Sequence, residues 1–414
     1  MKQAIFLAFL YLAGALWPAP LLPTTANKVN VSTVAQLVTA VNTAPKGTTI
    51  MLADGDYALV SVLPLRFRTD SVMLYGASMD PSKVRLKGGG FGSSNVNEEI
   101  IKIEAKGIRL AYFTLRDGRA NGLKIQTGGN DGLLVHAVNF LDICERSIKA
   151  PDQAVSYGGE VRYCLFEQIT PITSSIPSLN DGGNYIAGMD MMKIEGWSIH
   201  DNVFKNIRGM TGGGRAAVFL WNGCKRITVE RNVFMGCDRS IALGNSLNSN
   251  PGMDSGIVRN NFIAAGKDIS LESWNNSGNL ITGNQITGSP SYYRTLSLGN
   301  NGANTMRGNI VQGKISLISG QLPDTAGNLW ITDASVSGQV PTIAPAETVK
   351  VTTTIQLPAP PPVIVTHDSL IYVLGPVVTK TDTIPRVCPP SVADTALQWI
   401  KKAAWQSSIS PMRR

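Results

Sequence analysis

Apolar and polar positions alternate in short runs along most of the chain, and the runs recur at a nearly constant distance. "WSIHDNVFKNI" (Trp197–Ile207) and "ITVERNVFMGC" (Ile227–Cys237) both place an aliphatic residue, two polar residues, Asn, one residue and Phe in series. The frame aliphatic-x-x-Asn-x-apolar also fits Val258/Asn261/Ile263, Ile281/Asn284/Ile286 and, more weakly, Met306/Asn309/Val311. Successive Asn positions lie 30, 29, 23 and 25 residues apart. Upstream, other residues take the Asn slot in Ile108/Ala111/Phe113, Val135/Val138/Phe140 and Val161/Cys164/Phe166. The 38 residues from Cys164 to Asn202 exceed the usual step, so "TPITSSIPSLNDGGNYIAG" reads as an insertion.

A second column lies between these frames: "GLKIQT", "RSIKAP", "GMDMMK", "AVFLWN", "SIALGN", "ISLES", "TLSLGN" and "KISLIS". Each is a short alternating run, the pattern of a half-buried strand. A period of roughly 22–30 residues without helix-length segments predicts an all-β solenoid of parallel strands. Equivalent residues of successive coils then stack about 4.8 Å apart. Asn suits the corner slot because it tolerates the left-handed conformation and its amide bonds to the next amide in line. Phe and Ile two residues later face inward.

The ends differ. "STVAQLVTAVNTA" (Ser32–Ala44) carries Val34, Leu37, Val38 and Val41 at helical spacing, with Ser32 or Thr33 as N-cap, and predicts an N-terminal capping helix. Residues 1–26 combine Lys2, an apolar run from Ala4 to Trp17, Pro breakers and small residues up to Ala26, the pattern of a secretory signal peptide. The competing interpretation is an uncleaved N-terminal anchor. The apolar run falls short of the roughly 20 residues that span a bilayer. The mature chain is therefore expected to lack a stable membrane span, to be extracellular or periplasmic, and to be a monomer. After residue 337 the composition turns to Pro and Thr. The expected organisation is a signal peptide at 1–26, the coil with its cap at 27–337, and a Pro/Thr-rich linker and tail at 338–414.

Composition narrows the partners. The 43% hydrophobic and 16% charged content fits a large core and excludes a disordered chain. The net charge of +8 favours an acidic partner, yet no run of Lys and Arg forms a nucleic-acid arm. Five Cys at irregular spacing define no disulfide framework and no zinc site, and are expected as small buried residues.

From about Asn97 to Asn309, "DICERSIKAP", "MDMMKIEGWSIHDNVFKNIRG", "AAVFLWNGCKRITVERNVFMGCDRSIALGN" and "GIVRNNFI" resemble secreted bacterial right-handed parallel β-helix proteins of the pectate-lyase-like superfold. The resemblance implies a right-handed coil. It also implies one of several carbohydrate activities, as lyase, hydrolase or epimerase, or a non-catalytic role in a tailspike or adhesin. Where relatives often carry His, this chain has Met192 and Ala216.

Aligning the second column puts Lys124, Lys149, Asp190, Phe219, Ala242, Ser270, Ser297 and Ser316 in one outward row. Gln126, Pro151, Met192, Trp221, Gly244 and Glu272 fall two positions further on. Cations beside aromatic rings suit an acidic, uronate-containing polysaccharide: Lys or Arg binds the carboxylate and Trp stacks on the sugar. β-Elimination needs a base for the C5 proton and a cation for the enolate-like charge. The candidate catalytic residues are Lys149 as base, Arg239 or Lys124 as neutraliser, and Asp190 as orienting group. Trp221, Phe219, Arg146 and Glu272 are candidate substrate contacts. Asp190 and Glu145 are the carboxylates that would hold a Ca²⁺, the one cofactor considered. The competing function is a non-catalytic polysaccharide-binding or surface-adhesion protein using the same face.

Overall fold

A computed structural model describes residues 19–126, 130–247, 249–264, 268–288, 295–313, 315–320, 327–331 and 336–337, together with strands at 353–355 and 378–380. The expectations for the tail beyond 338, including Cys388, otherwise lie outside the described residues. Among these residues no helix is long and apolar enough to cross a membrane.

The repeats wind into coils. Three sheets of eleven strands each run along the molecule, and within each sheet every neighbour is parallel and comes from the next coil. This is the architecture of a parallel β-helix. The first sheet runs from Asn27–Val31 to Thr305–Arg307, and the third from Gly55–Ala58 to Leu329–Ile331. The second, which carries the candidate residues, runs from Leu65–Phe67 to Val336–Ser337. The core fills the coil with stacked side chains. Phe140, Phe166, Phe204 and Phe234 form a column of near-parallel rings with centroids 4.7, 4.5 and 4.9 Å apart.

Helix α1 (Val34–Thr43) forms where the spacing predicts it, with Thr33 as N-cap in a capping box with Gln36. It buries Leu37, Ala40 and Val41 in the same core as the coils. Residues 20–25, which the sequence assigns to the signal peptide, pack on the outside of the first sheet. Leu22 is buried there beside Met73, Tyr75 and Tyr112. The folded part thus begins before Asn27.

The Asn column is the most regular feature. The Nδ2 of Asn202 donates to the Oδ1 of Asn232 (3.0 Å), Asn232 to Asn261 (3.1 Å), Asn261 to Asn284 (2.9 Å) and Asn284 to Asn309 (2.9 Å). Asn309 continues it to Asn328 (2.9 Å), a rung the repeat frame missed. Each Oδ1 also accepts the backbone N–H of the preceding rung, at 2.9–3.0 Å. Each Nδ2 also reaches a carbonyl of the preceding coil, such as Val161, Ile199 or Val229. The left-handed residues are not these Asn but their predecessors Asp201, Arg231 and Asn260, with φ of +56°, +51° and +56°. The corner turns one residue early, which lets the Asn side chain point inward to the ladder.

One sequence alignment slips. Val135 pairs with Leu110 rather than Ile108, so the true frame is Leu110/Phe113/Leu115. Ile108 and Leu110 are both aliphatic and alternate with polar residues, so a shift of two leaves the pattern intact.

Replacing Asn232 by Leu removes the acceptor of two N–H groups in a dry corner. Each orphaned donor costs about 1–3 kcal/mol. Urea unfolding should show Asn232→Leu less stable by roughly 3–4 kcal/mol, well beyond what Phe234→Leu loses in ring area.

Candidate functional site

On the second sheet, the coils stack one outward position above another. Arg66, Lys102, Lys124, Lys149, Asp190, Phe219, Ala242, Glu272, Ser297 and Ser316 follow rung by rung. The predicted row is therefore present with one correction. Glu272, not Ser270, occupies it, because "ISLES" alternates through both positions and offers no apolar mark to fix the register.

At the centre, the Lys149 ammonium donates to Asp190 Oδ2. Asp190 Oδ1 accepts the indole N–H of Trp221 at 2.8 Å. Trp221 stacks on Phe219 with centroids 5.0 Å apart and planes 3° from parallel. Lys149 also donates to the Tyr185 hydroxyl at 3.3 Å. The guanidinium carbon of Arg146 lies 4.5 Å from the Tyr185 ring centroid, and that of Arg215 lies 5.8 Å from it. Tyr185 belongs to the insertion between Cys164 and Asn202 and was not among the candidates. Its signal was available: a Tyr within a repeat-breaking segment, two residues before the strand Ala187–Met192.

These surroundings move two titrations in opposite directions. Burial lowers the pKa of Lys149 below its ordinary value, against the opposing pull of Asp190. Burial, and next the negative charge of Asp190, raise Tyr185 well above the ordinary phenol. Burial thus weakens the charged form of the amine and the ionised form of the phenol alike.

The inserted segment is pinned from below. Arg119 is fully buried, and its Nη2 donates to the carbonyls of Pro177 and Ser178. Glu145, also buried, accepts from Asn180 Nδ2 at 2.7 Å and pairs with Arg119 (3.8 Å) and Arg146 (2.9 Å). Arg146 further donates to Asn121 at 3.0 Å. Cys144 beside Arg119 is a buried free thiol, pushed up to about 11 by burial; Cys164, Cys224 and Cys237 are likewise buried.

The remaining candidates divide. Lys124 stands one rung from Lys149 but is paired with Glu99 at 2.5 Å, and Lys102 shares that carboxylate at 3.1 Å. Arg239 bonds Asp268 (2.7 Å) and Glu272 (2.9 Å). Glu272 is four rungs from Lys149, on the order of 19 Å at the spacing of strands in a sheet. Arg239 therefore cannot neutralise charge on a sugar that Lys149 attacks. Arg146 and Arg215 lie nearer, against the Tyr185 ring, and are themselves paired with Glu145 (2.9 Å) and Asp181 (2.6 Å). Nor do Asp190 and Glu145 fit a Ca²⁺, because Lys149, Trp221, Arg119, Arg146 and Asn180 already fill their oxygens with donors. Among the described residues no group of three or more His, Cys, Asp or Glu converges as a metal site needs. Met192 and Ala216 are both buried on this sheet.

No protein-family profile and no curated protein matches the sequence. Solved structures do resemble the fold. They include a polygalacturonase from Erwinia carotovora ssp. carotovora, at 11% identity and a TM-score of 0.44, covering 77% of this chain and 98% of that one. Endopolygalacturonase I from Stereum purpureum gives 10% identity and 0.46, covering 73% and 100%. A PL6 family alginate lyase gives 12% identity and 0.40, covering 75% of this chain and 41% of its own longer chain. At these identities the likeness concerns the fold alone.

Asn180→Ala and Glu145→Gln should loosen the insertion without unwinding the coil. Limited proteolysis is expected to cut within 168–186 about tenfold faster, while far-ultraviolet circular dichroism stays unchanged. Glu145→Gln should also lose roughly 3 kcal/mol of stability, because Arg119 keeps a buried charge without its partner.

Proposed function

We propose that this protein is an exported carbohydrate-active β-helix that cleaves an acidic, uronate-containing polysaccharide by β-elimination at Lys149 and Tyr185. The observation that carries this proposal is the Lys149–Tyr185 pair: two groups 3.3 Å apart whose surroundings push their proton affinities in opposite directions.

In the proposed step, the neutral amine of Lys149 takes the C5 proton of a uronate. The electron pair passes into the carboxylate as an enolate, and Arg146 and Arg215 offset the growing charge. The enolate then collapses, C4–O4 breaks, and Tyr185 gives its proton to the leaving oxygen. The products are a 4,5-unsaturated sugar and a new chain end. Lys149 is left as ammonium beside a phenolate, and the hydrogen bond between them is the path by which the proton returns. A base and an acid this close serve one face of the sugar, so the geometry favours syn elimination. Arg66, Lys102 and Lys124 stack on the preceding rungs but are paired with Glu104 and Glu99, so they offer further carboxylates of a linear polymer only the residual positive charge of that group.

Binding without cleavage is favoured by one feature: Asp190 holds Lys149 in a direct ion pair, which opposes loss of the amine's proton. The two functions separate cleanly by experiment. Incubation with polymannuronate, polyguluronate, polygalacturonate and glucuronate polymers should generate absorbance near the unsaturated-uronate band for at least one. Lys149→Ala and Lys149→Arg should abolish it, and Tyr185→Phe should slow it on the order of 10²–10⁴-fold. Unaltered cleavage by Lys149→Ala would sink the elimination scheme; retention on such a polymer without any product would favour the binding protein. Because the reactive amine is the neutral form, kcat/KM should climb with pH through the range below the ordinary lysine value of 10.5. A flat pH–rate profile there would contradict Lys149 as base.

A further inference from the structure

The coils differ in how they leave the second sheet. Six residues link Ala216–Trp221 to Thr228–Glu230, thirteen link Ile241–Leu243 to Ile257–Arg259, and the next two links take five and three. The long link stands out from the wall, with Leu247 exposed on it. The short links after it cut the corner. The step between them is a cleft of about 380 Å³, lined by Ser249, Pro251 and Asp254 of the long link and by Ser277, Asn300 and Gly302 of the two coils that follow.

The lining is polar, and among its described residues none is a cation. Asp254 accepts the backbone N–H of Ser277 on Oδ1 at 2.8 Å, which leaves its second oxygen for a hydroxyl donor. The Ser277 hydroxyl lies against Gly302, where an added Cβ would come within 2.7 Å of it. Asn300 turns the corner in the left-handed conformation, with φ of +50°, and donates its amide to Asn275 Oδ1 at 2.5 Å. Trp274 and Gly299, the residues just before Asn275 and Asn300, pair across neighbouring coils at the edge of the cleft. The indole lies flat on the glycine: a Cβ on Gly299 would meet Cζ2, Cζ3 and Cη2 at 2.5–2.6 Å. Its N–H reaches Ser297 Oγ at 3.2 Å. The side chain is half-buried, one face on the glycine and the other outward.

These groups suit a pyranose. An indole face seats the apolar face of a sugar ring. Amides and hydroxyls pair with sugar hydroxyls, which both donate and accept. A uronate fits poorly, because its carboxylate would meet Asp254 with no lining cation to offset the repulsion. We propose that this step is a second carbohydrate site, selective for an uncharged pyranose unit stacked on Trp274. Trp274 stands four rungs from Lys149, on the order of 19 Å at the spacing of strands. The second site therefore does not depend on elimination at Lys149.

The whole protein is titrated with the tetramers of glucose, mannose, xylose and galactose, and with the tetramer of galacturonate, by calorimetry and by tryptophan fluorescence. At least one uncharged tetramer should bind saturably. Trp274→Ala should weaken that binding about tenfold, and Gly302→Leu, which fills the cleft, should abolish it. Both variants should keep the far-ultraviolet circular dichroism of the parent and treat uronate polymers as the parent does. Lys149→Ala should leave the uncharged tetramer bound as before, so the two sites fail separately. Should Trp274→Ala or Gly302→Leu not fold, Ser277→Ala, which removes one hydroxyl, should still weaken binding about fivefold. The second site is overturned if no uncharged tetramer binds, if these substitutions leave its affinity unchanged, or if the galacturonate tetramer displaces it from the parent and not from Gly302→Leu.

Discussion

A buried amide has to find a partner in every direction, and the Asn ladder is how this chain meets that condition at its tightest corner. A coil of short strands must turn sharply every few residues, and each turn releases backbone N–H and C=O groups from the sheet ladder. At the corner between the first and third sheets, one Asn per coil takes up both. Its oxygen accepts the N–H and the side-chain amide of the rung before it, and its own amide reaches back to a carbonyl. The partner is the same residue on the next coil, so the solution works only if every coil repeats. That requirement imposes the register of the first and third sheets and carries it into the second. Upstream of Asn202 the slot holds Cys164, Val138 and Phe113, where the corner is packed rather than bonded; Cys164 donates its backbone N–H to Asn202 Oδ1, the last bond of the ladder.

Register is what makes the outer face of the second sheet a site. Positions separated by 19 to 41 residues in the chain stand one above another because the inner face is fixed by the core. On that face the charges are not free. Glu99, Asp190, Glu145 and Glu272 each hold cations, and most of the row is buried. Such networks shape the titration of their members more than they stabilise the fold, since desolvation offsets much of the attraction. The same burial that weakens the charged form of Lys149 strengthens the protonated form of Tyr185.

The insertion between Cys164 and Asn202 supplies the second member of the proposed Lys149–Tyr185 pair. It interrupts the repeat, brings Tyr185 over Lys149, and is itself held by Arg119 and Glu145 from the coil wall. A loop that must carry a reactive group in a fixed place needs buried anchors of this kind, because its own residues make few sheet bonds.

The sequence by itself determined the solenoid. A period of apolar and polar positions, with Asn and Phe returning in the same slots, leaves almost no other fold, since each coil buries its face only against its neighbours. It also determined which side chains share the inward frame and the outward row, with a slip of two at Ile108 in the first and at Ser270 in the second, where alternation repeats and nothing distinguishes adjacent positions on one face. It did not determine which of those charges meet. Arg239 and Lys149 read as equal members of one site, yet they belong to separate ion pairs three rungs apart. Tyr185 lies outside the repeat frame, and only the path of the inserted loop brings it to Lys149 and to Arg215. The packing of residues 20–25 is of the same kind: it rests on Tyr112 and His136, which bond Leu22 and Pro20 from 90 and 116 residues away. Periodicity reports contacts between like positions of neighbouring coils; contacts made by the segments that break the period have no counterpart in the pattern, and tertiary structure alone decides them.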